Sequence, residues 1–254
     1  MGREMRLRQV VVGLVLTVIL WQLAAWALNR SILPPPGRVL LVFAQELVNG
    51  DLGSHFLVSA ARVLASIVLA SALATPAGLV LGQSRTLNRL LAPLIYIAYP
   101  MPKVVFMPIF LLLLGIGNAS KVALITVILF FQILVVVRDE ALAIRPELIT
   151  SLRSLGAGRL ALLRFVYVPA VLPAMLTSLR LSVGTAVAVL FLAESFATTS
   201  GLGYYIMVES WSRVAYVQMY AGVVAMSLLG LVLYYATDWL ERRLAPWLFL
   251  ENES

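Results

Sequence analysis

With 254 residues, 61% of them apolar and 12% charged, and a mean hydropathy of +0.97, the chain is far too apolar for a soluble domain; a bilayer is its natural solvent. The net charge of +7 fits membrane topology and anionic lipid neighbours rather than nucleic acid. Cysteine is absent, which excludes disulfides and thiolate metal sites, and one histidine, His55, leaves no cluster for zinc.

A spanning helix needs about 20 mostly apolar residues, and six stretches qualify: about 10–28, 56–82, 90–114, 122–137, 171–195 and 217–240. The expectation is an all-α, polytopic membrane protein with one domain over 1–254. The first stretch follows Arg3, Arg6 and Arg8. Its apolar core of about 18 residues exceeds the 7–15 of a signal peptide, so it is read as a retained anchor. Pro34, Pro35 and Pro36 then impose an extended entry to a short amphipathic helix over 39–48, lying on the outer surface, or else to an ordinary connector. The second stretch carries Arg62 near its outer end.

The third stretch holds Pro93, Pro100, Pro102 and Pro108, too many for a straight helix, since each removes an intrahelical bond and crowds the preceding turn. Broken backbone at membrane depth is tolerated only against protein or a wet cavity. This stretch is therefore expected to line a path or a contact between subunits.

Between the fourth and fifth stretches lies the polar segment Arg138–Val168. Pro146 suits a first helical position and Glu147 the first turn, where the helix dipole favours negative charge. Leu148, Leu152 and Leu155 then share a face, with Thr150 and Ser151 elsewhere, and Gly156 suits a left-handed helix end. A second short helix from about Arg159 presents Leu160 and Leu163 and stops at Pro169. A helix lying on the inner leaflet is the alternative to a docking protrusion.

Cytoplasmic loops carry the excess of lysine and arginine. Arg85, Arg89, Arg242, Arg243 and the arginines of the 138–168 segment fall on the side of the N-terminal arginines, against Arg30, Arg38, Lys121 and Arg213 on the other. Both termini and the polar segment are thus expected inside.

Charges within spans cost roughly 2.5–3.5 kcal/mol each at a helix centre, so they face partners or cavities. Arg62, Lys103, Arg180 and Glu194 qualify. An Arg62–Glu194 pair in the outer half leaves Lys103 to attract an anion or, alternatively, to snorkel or cap the carbonyls of a broken helix. Arg180, nearer the inner end, reads as a structural or lipid contact. Trp21, Trp26, Trp211, Tyr216, Tyr220, Trp239 and Trp247 sit toward span ends as interfacial anchors.

The 138–169 segment resembles the cytoplasmic signature of permease subunits of ABC importers, with matches at Gly156, Val166, Val168 and Pro169. The family's opening Glu-Ala-Ala falls on Thr150-Ser151-Leu152, so its carboxylate is missing; Glu147, one turn earlier, is the nearest substitute. Ile32–Pro36, Pro102-Lys103 with Pro108, Gly115-Ile116-Gly117, Ser178–Leu181, Ala193-Glu194 and Gly201-Leu202-Gly203-Tyr204 are similar to further landmarks, most closely those of the nitrate, sulfonate and taurine branch, which includes vitamin-precursor importers.

The resemblance implies a coupling loop carrying Glu147, Leu148, Thr150, Ser151, Leu152, Gly156 and Pro169. It also implies a path for a small anionic solute, for which Arg62, Pro102, Lys103 and Glu194 are the candidates, and an outer-loop contact at Gly201, Gly203 and Tyr204. Implied partners are ATP-binding cassette ATPase subunits holding ATP and Mg, a second permease copy, an extracytoplasmic solute-binding protein and the lipids of a bacterial inner membrane. No Gly-x-x-x-x-Gly-Lys-Ser/Thr motif occurs, so ATP hydrolysis is expected elsewhere, with no cofactor or metal on this chain. The rival, an ion-coupled secondary transporter or channel, needs acidic groups at membrane depth; Glu194 and Asp238 are those available. An intramembrane enzyme would lack a nucleophile and base.

Overall fold

Regular structure is helical throughout the residues that the computed structural model describes, which are 2–196 and 198–249, without the side chains of 2–8, 10, 248 and 249. In chain order these are α1 (Gly2–Leu28), α2 (Pro36–Asn49), α3 (Leu52–Gln83), α4 (Arg85–Ala98), α5 (Met107–Leu114), α6 (Asn118–Ala143), α7 (Pro146–Ser154), α8 (Arg159–Leu162), α9 (Val168–Ser195), α10 (Leu202–Tyr204) and α11 (Tyr216–Leu244). Five runs are long and apolar enough to cross a bilayer: Val11–Leu28, Leu52–Gln83, Asn118–Ala143, Arg159–Ser195 and Tyr216–Leu244. The pair α4 and Lys103–Leu114, bent by 83°, makes a sixth if counted as one span. The break falls among the prolines, where helical bonding cannot continue.

Two boundaries differ from the sequence expectation. The fourth span does not stop at Val137; α6 continues to Ala143. Arg138 is buried, ion-paired to Asp139 at 2.8 Å and stacked 5.4 Å from the Tyr96 ring, so its charge does not force the chain out of the helix. The second short helix is not separate either. From α8 the chain passes through a wide helical turn, Leu163–Tyr167, in which the Val168 N–H reaches back five residues to the Leu163 carbonyl, and then straight into α9. That wider turn accommodates the Pro169 ring without ending the helix.

The chain forms two compact units, residues 1–58 with 194–227, and residues 59–193 with 228–254. In the first, Trp21 Nε1 donates to the Pro34 carbonyl at 3.1 Å and its ring lies 5.7 Å from that of Tyr220, which ties the proline run to α1. Pro36 opens α2, which buries Val39 and exposes Leu40, Leu41, Leu47 and Val48. Along α1 the apolar side chains are almost all exposed, as suits a helix solvated by lipid.

In the second unit α6 is central: Leu124, Ile125, Leu129, Ile133 and Val137 are almost fully buried. It packs against α3 through two glycines one turn apart. A Cβ on Gly78 would stand 2.6 Å from Val137 Cγ1, and one on Gly82 would overlap Ala141 Cβ. Small residues at this spacing let helix backbones approach where lipid gives no hydrophobic drive to associate. Ser66 adds a polar tie, its hydroxyl donating to the Arg62 carbonyl at 2.7 Å and lying 3.3 Å from that of Val122.

Candidate functional sites

The first site is α7. Pro146 and Glu147 occupy its first turn, and the helix closes at Gly156, whose φ of +83° is the left-handed conformation that only glycine adopts cheaply. The Ala157 N–H bonds the Leu152 carbonyl at 3.0 Å and the Gly156 N–H bonds that of Arg153 at 2.9 Å, so the last carbonyls are satisfied locally. Thr150 and Ser154 fold their hydroxyls back onto the Pro146 and Thr150 carbonyls, at 2.9 and 3.0 Å. Leu148, Leu155 and Leu160 are exposed, Leu155 by 85%, and Leu152 is half-buried. Glu147 and Ser151 are exposed beside them. Pro169 lies outside this helix, in the first turn of α9.

A helix of nine residues is marginal on its own. Two exposed leucines at i and i+7 form a short apolar ridge that a partner can cover.

The second site is the break in the third span. After α4, Pro100 and Pro102 interrupt the helix, and Lys103 opens a tight 3-10 turn. Its side chain, 9% exposed, folds back: Nζ donates to the Tyr99 carbonyl at 2.9 Å and toward that of Met101 at 3.4 Å, and lies 4.7 Å from the Phe131 ring centroid. These are carbonyls that the interrupted helix leaves without backbone donors. Beside them is a cleft of about 330 Å³ lined by Tyr99, Pro102, Lys103, Ile128, Phe131 and Gln132 among others. The Gln132 Oε1 is buried and accepts no hydrogen bond among the described residues.

Of the expected path residues, Pro102 and Lys103 meet at this cleft. Arg62, buried, donates from Nε to Asn118 Oδ1 at 2.9 Å. Glu194, fully buried in the first unit, accepts from the Gly203 N–H at 3.1 Å.

The third site is the Gly201–Tyr204 segment. The Gly201 N–H donates to His55 Nδ1 at 2.9 Å, so the imidazole proton sits on Nε2, 3.3 Å from Glu209 Oε2. The His55 ring lies 5.8 and 5.7 Å from those of Tyr204 and Tyr205. Burial, with the carboxylates of Glu46, Glu209 and Asp51, raises the Tyr205 phenol above its ordinary pKa, so it stays protonated. Gly201 and Gly203 are buried and Tyr204 is half-buried. Sequence reasoning treated His55 only as a histidine too isolated for zinc; its partner is 146 positions away, and no local pattern announces it.

A fourth cluster, absent from the sequence reading, surrounds Arg180. Its Nη1 lies 2.8 Å from Asp238 Oδ1 and 3.0 Å from Glu241 Oε2; Arg242 bonds Asp238 at 2.9 Å and Thr177 donates to Glu241 at 2.6 Å. Arg180 thus takes the structural one of its two expected readings, a structural or a lipid contact, and Asp238 is committed to two arginines rather than open to a coupling ion.

Residues 74–246 match the family described as binding-protein-dependent transport system inner membrane component. The taurine transport system permease protein TauC of Escherichia coli (strain K12) is 31% identical over 240 residues, covering 92% of this chain and 86% of the relative. A Bacillus subtilis (strain 168) relative named for aliphatic sulfonates transport, SsuC, is 27% identical, covering 91% and 84%. The formylaminopyrimidine transport permease protein ThiX of Halalkalibacterium halodurans is 26% identical, covering 91% and 92%. Two structures of the inward-facing MetNI methionine ABC transporter share the fold at 20% identity, with TM-scores of 0.62 over 76% of this chain and 95% of theirs, and 0.66 over 78% and 98%. An ion-coupled secondary transporter is thereby set aside. The chain belongs to the binding-protein-dependent transport inner membrane components, and it is a multi-pass inner-membrane permease subunit of an ABC importer, a kind that works with ATPase and solute-binding proteins.

Proposed function

We propose that this chain, acting as one permease domain over 1–254 and paired with a second copy of itself, forms the translocation path for a small anionic solute of the sulfonate or taurine type. ATP and Mg are held by separate ATP-binding cassette subunits. These seat on α7 and move it, so that the membrane helices alternate between outward and inward access; such coupling requires the motor to bind the two states with different free energies. Both termini and α7 face the cytoplasm. The solute-binding protein meets the opposite side near Gly201, Gly203 and Tyr204, a segment that His55 and Glu194 hold in place. Glu147 supplies the carboxylate that the usual signature carries further along. The substrate class rests on the taurine-named and sulfonate-named relatives and on Lys103 at the broken span.

The single observation that carries the coupling role is the uncovered Leu148–Leu155 ridge on a helix ended by Gly156. Burying a leucine contributes about 1.5–3 kcal/mol, so two leucines account for a docking contact of useful strength. Replacing both, Leu148→Asp with Leu155→Asp, is expected to weaken capture of the ATPase subunit by about a hundredfold or more. The variant pair should also abolish ATP-driven uptake while leaving the permease folded by size-exclusion chromatography. Capture and uptake at wild-type levels would contradict the role of α7.

A further inference from the structure

At the break of the third span the buried cation of Lys103 has no carboxylate partner among the described residues. Arg138 holds Asp139, and Arg180 holds Asp238 and Glu241, whereas Lys103 meets the carbonyl dipoles of Tyr99 and Met101 and the rings of Phe131 and Tyr99. An ammonium has three N–H donors. Two are directed at those carbonyls, and the cleft of about 330 Å³ that Lys103 lines is the space left for the third. The same cleft is lined by Gln132, whose Oε1 is buried and accepts nothing among the described residues, and by the faces of Tyr99 and Phe131. A buried acceptor left unmade is costly without a ligand, and an ammonium bonded only to neutral dipoles and rings keeps an uncompensated charge that an anion would neutralise. A volume of this order is at the small end of ligand pockets and suits a solute of a few heavy atoms.

We propose that this cleft is the solute-selecting site within the membrane and that it takes a short zwitterionic aminosulfonate, an inference that rests on the sulfonate-permease function proposed above. The sulfonate accepts from Lys103, the solute's ammonium donates to Gln132 Oε1, and Tyr99 and Phe131 flank the connecting carbons and the ammonium. The donor and acceptor together select for a molecule with both charges, which a lone lysine would not. A phosphatidylethanolamine headgroup carries the same pairing of oxyanion and ammonium, so solute and lipid must be told apart by experiment.

The test uses the permease–ATPase complex in phosphatidylcholine nanodiscs, with binding of taurine and of ethanesulfonate read by saturation-transfer NMR. Both should bind. Lys103→Met should weaken both by about tenfold or more, the value of one charge-assisted hydrogen bond. Gln132→Leu should weaken taurine by a similar factor and leave ethanesulfonate unchanged. Lys103→Arg, which keeps the cation, should retain part of the binding, and every variant should still assemble with the ATPase subunits and elute as the parent complex does in size-exclusion chromatography, which excludes misfolding. Equal loss of both probes in Gln132→Leu, or unaltered binding in Lys103→Met, overturns the assignment. So does loss of taurine binding when the nanodiscs are made of phosphatidylethanolamine, since the occupant is then a headgroup. Taurine uptake by the complete wild-type transporter separates the two levels: uptake with no Lys103-dependent binding defeats this site alone, whereas stimulated ATP hydrolysis without taurine uptake defeats the substrate class.

Discussion

Gly156 shows how one residue sets the end of a helix. Its backbone is left-handed, and nothing lies within 4 Å of where a Cβ would stand, so a substitution meets no neighbour and its whole cost is conformational. Gly156→Val should therefore cost about 1–2 kcal/mol at the end of α7, lower ATP-driven uptake several-fold, and leave the thermal midpoint of the purified permease nearly unmoved. Normal uptake, or a large fall in the midpoint, would show that α7 does not need this ending. Gly156 was legible in the sequence because everything that defines it is local: an apolar face, then a glycine at the position where the helix must stop. Lys103 was only half legible. Its place in a proline-broken span could be read, but the choice between attracting an anion, snorkelling and capping carbonyls depends on how the chain turns after Tyr99. His55, Glu209 and Gly201 were not legible at all, since they meet only after distant segments fold together. The same holds for Asp238, which as an isolated acid near a span end resembled an ion-coupling group and is instead the partner of Arg180 and Arg242.

Among the elements, apolar runs near 20 residues located the spans well, because burial in lipid demands that length whatever the sequence. The ends were less visible. Arg138–Ala143 continues α6 because its charge is neutralised within the helix and against Tyr96, and the Leu163–Tyr167 turn lets α8 run into α9 despite Pro169. Neither compensation has a signal in hydropathy. The close packing of α3 on α6 depends on Gly78 and Gly82, and here the spacing was present in the sequence without the partner that gives it meaning. Gly82→Val should destabilise the purified permease by about 1–3 kcal/mol through overpacking against Ala141 and the Arg138 carbonyl, 3.1 Å from the added Cβ. Ala141→Gly should recover part of that loss. Gly13→Val, placed on exposed α1 with nothing within 4 Å, should change the thermal midpoint little. A Gly82 variant as stable as the parent would mean that the two helices can separate without consequence.

For the whole molecule, function depends on which face of the membrane each exposed feature occupies. An ATP-driven motor can grip α7 only if the Leu148–Leu155 ridge lies in the cytoplasm, and a delivery protein can reach the Gly201–Tyr204 segment only if that segment lies on the other side. The family establishes an importer's permease; the proposed lever requires the orientation proposed above. Because the chain contains no cysteine, single thiols can be introduced against a silent background. Leu155, 85% exposed, and Trp211, 55% exposed, are suitable positions. The most direct measurement is labelling of Leu155→Cys and Trp211→Cys by a membrane-impermeant maleimide in right-side-out and inverted vesicles, with and without the ATPase subunit. Leu155→Cys should react only in inverted vesicles and be shielded when the ATPase is bound, while Trp211→Cys reacts only in right-side-out vesicles. Reaction of Leu155→Cys from the outside, or no shielding by the ATPase, would contradict α7 as the coupling helix.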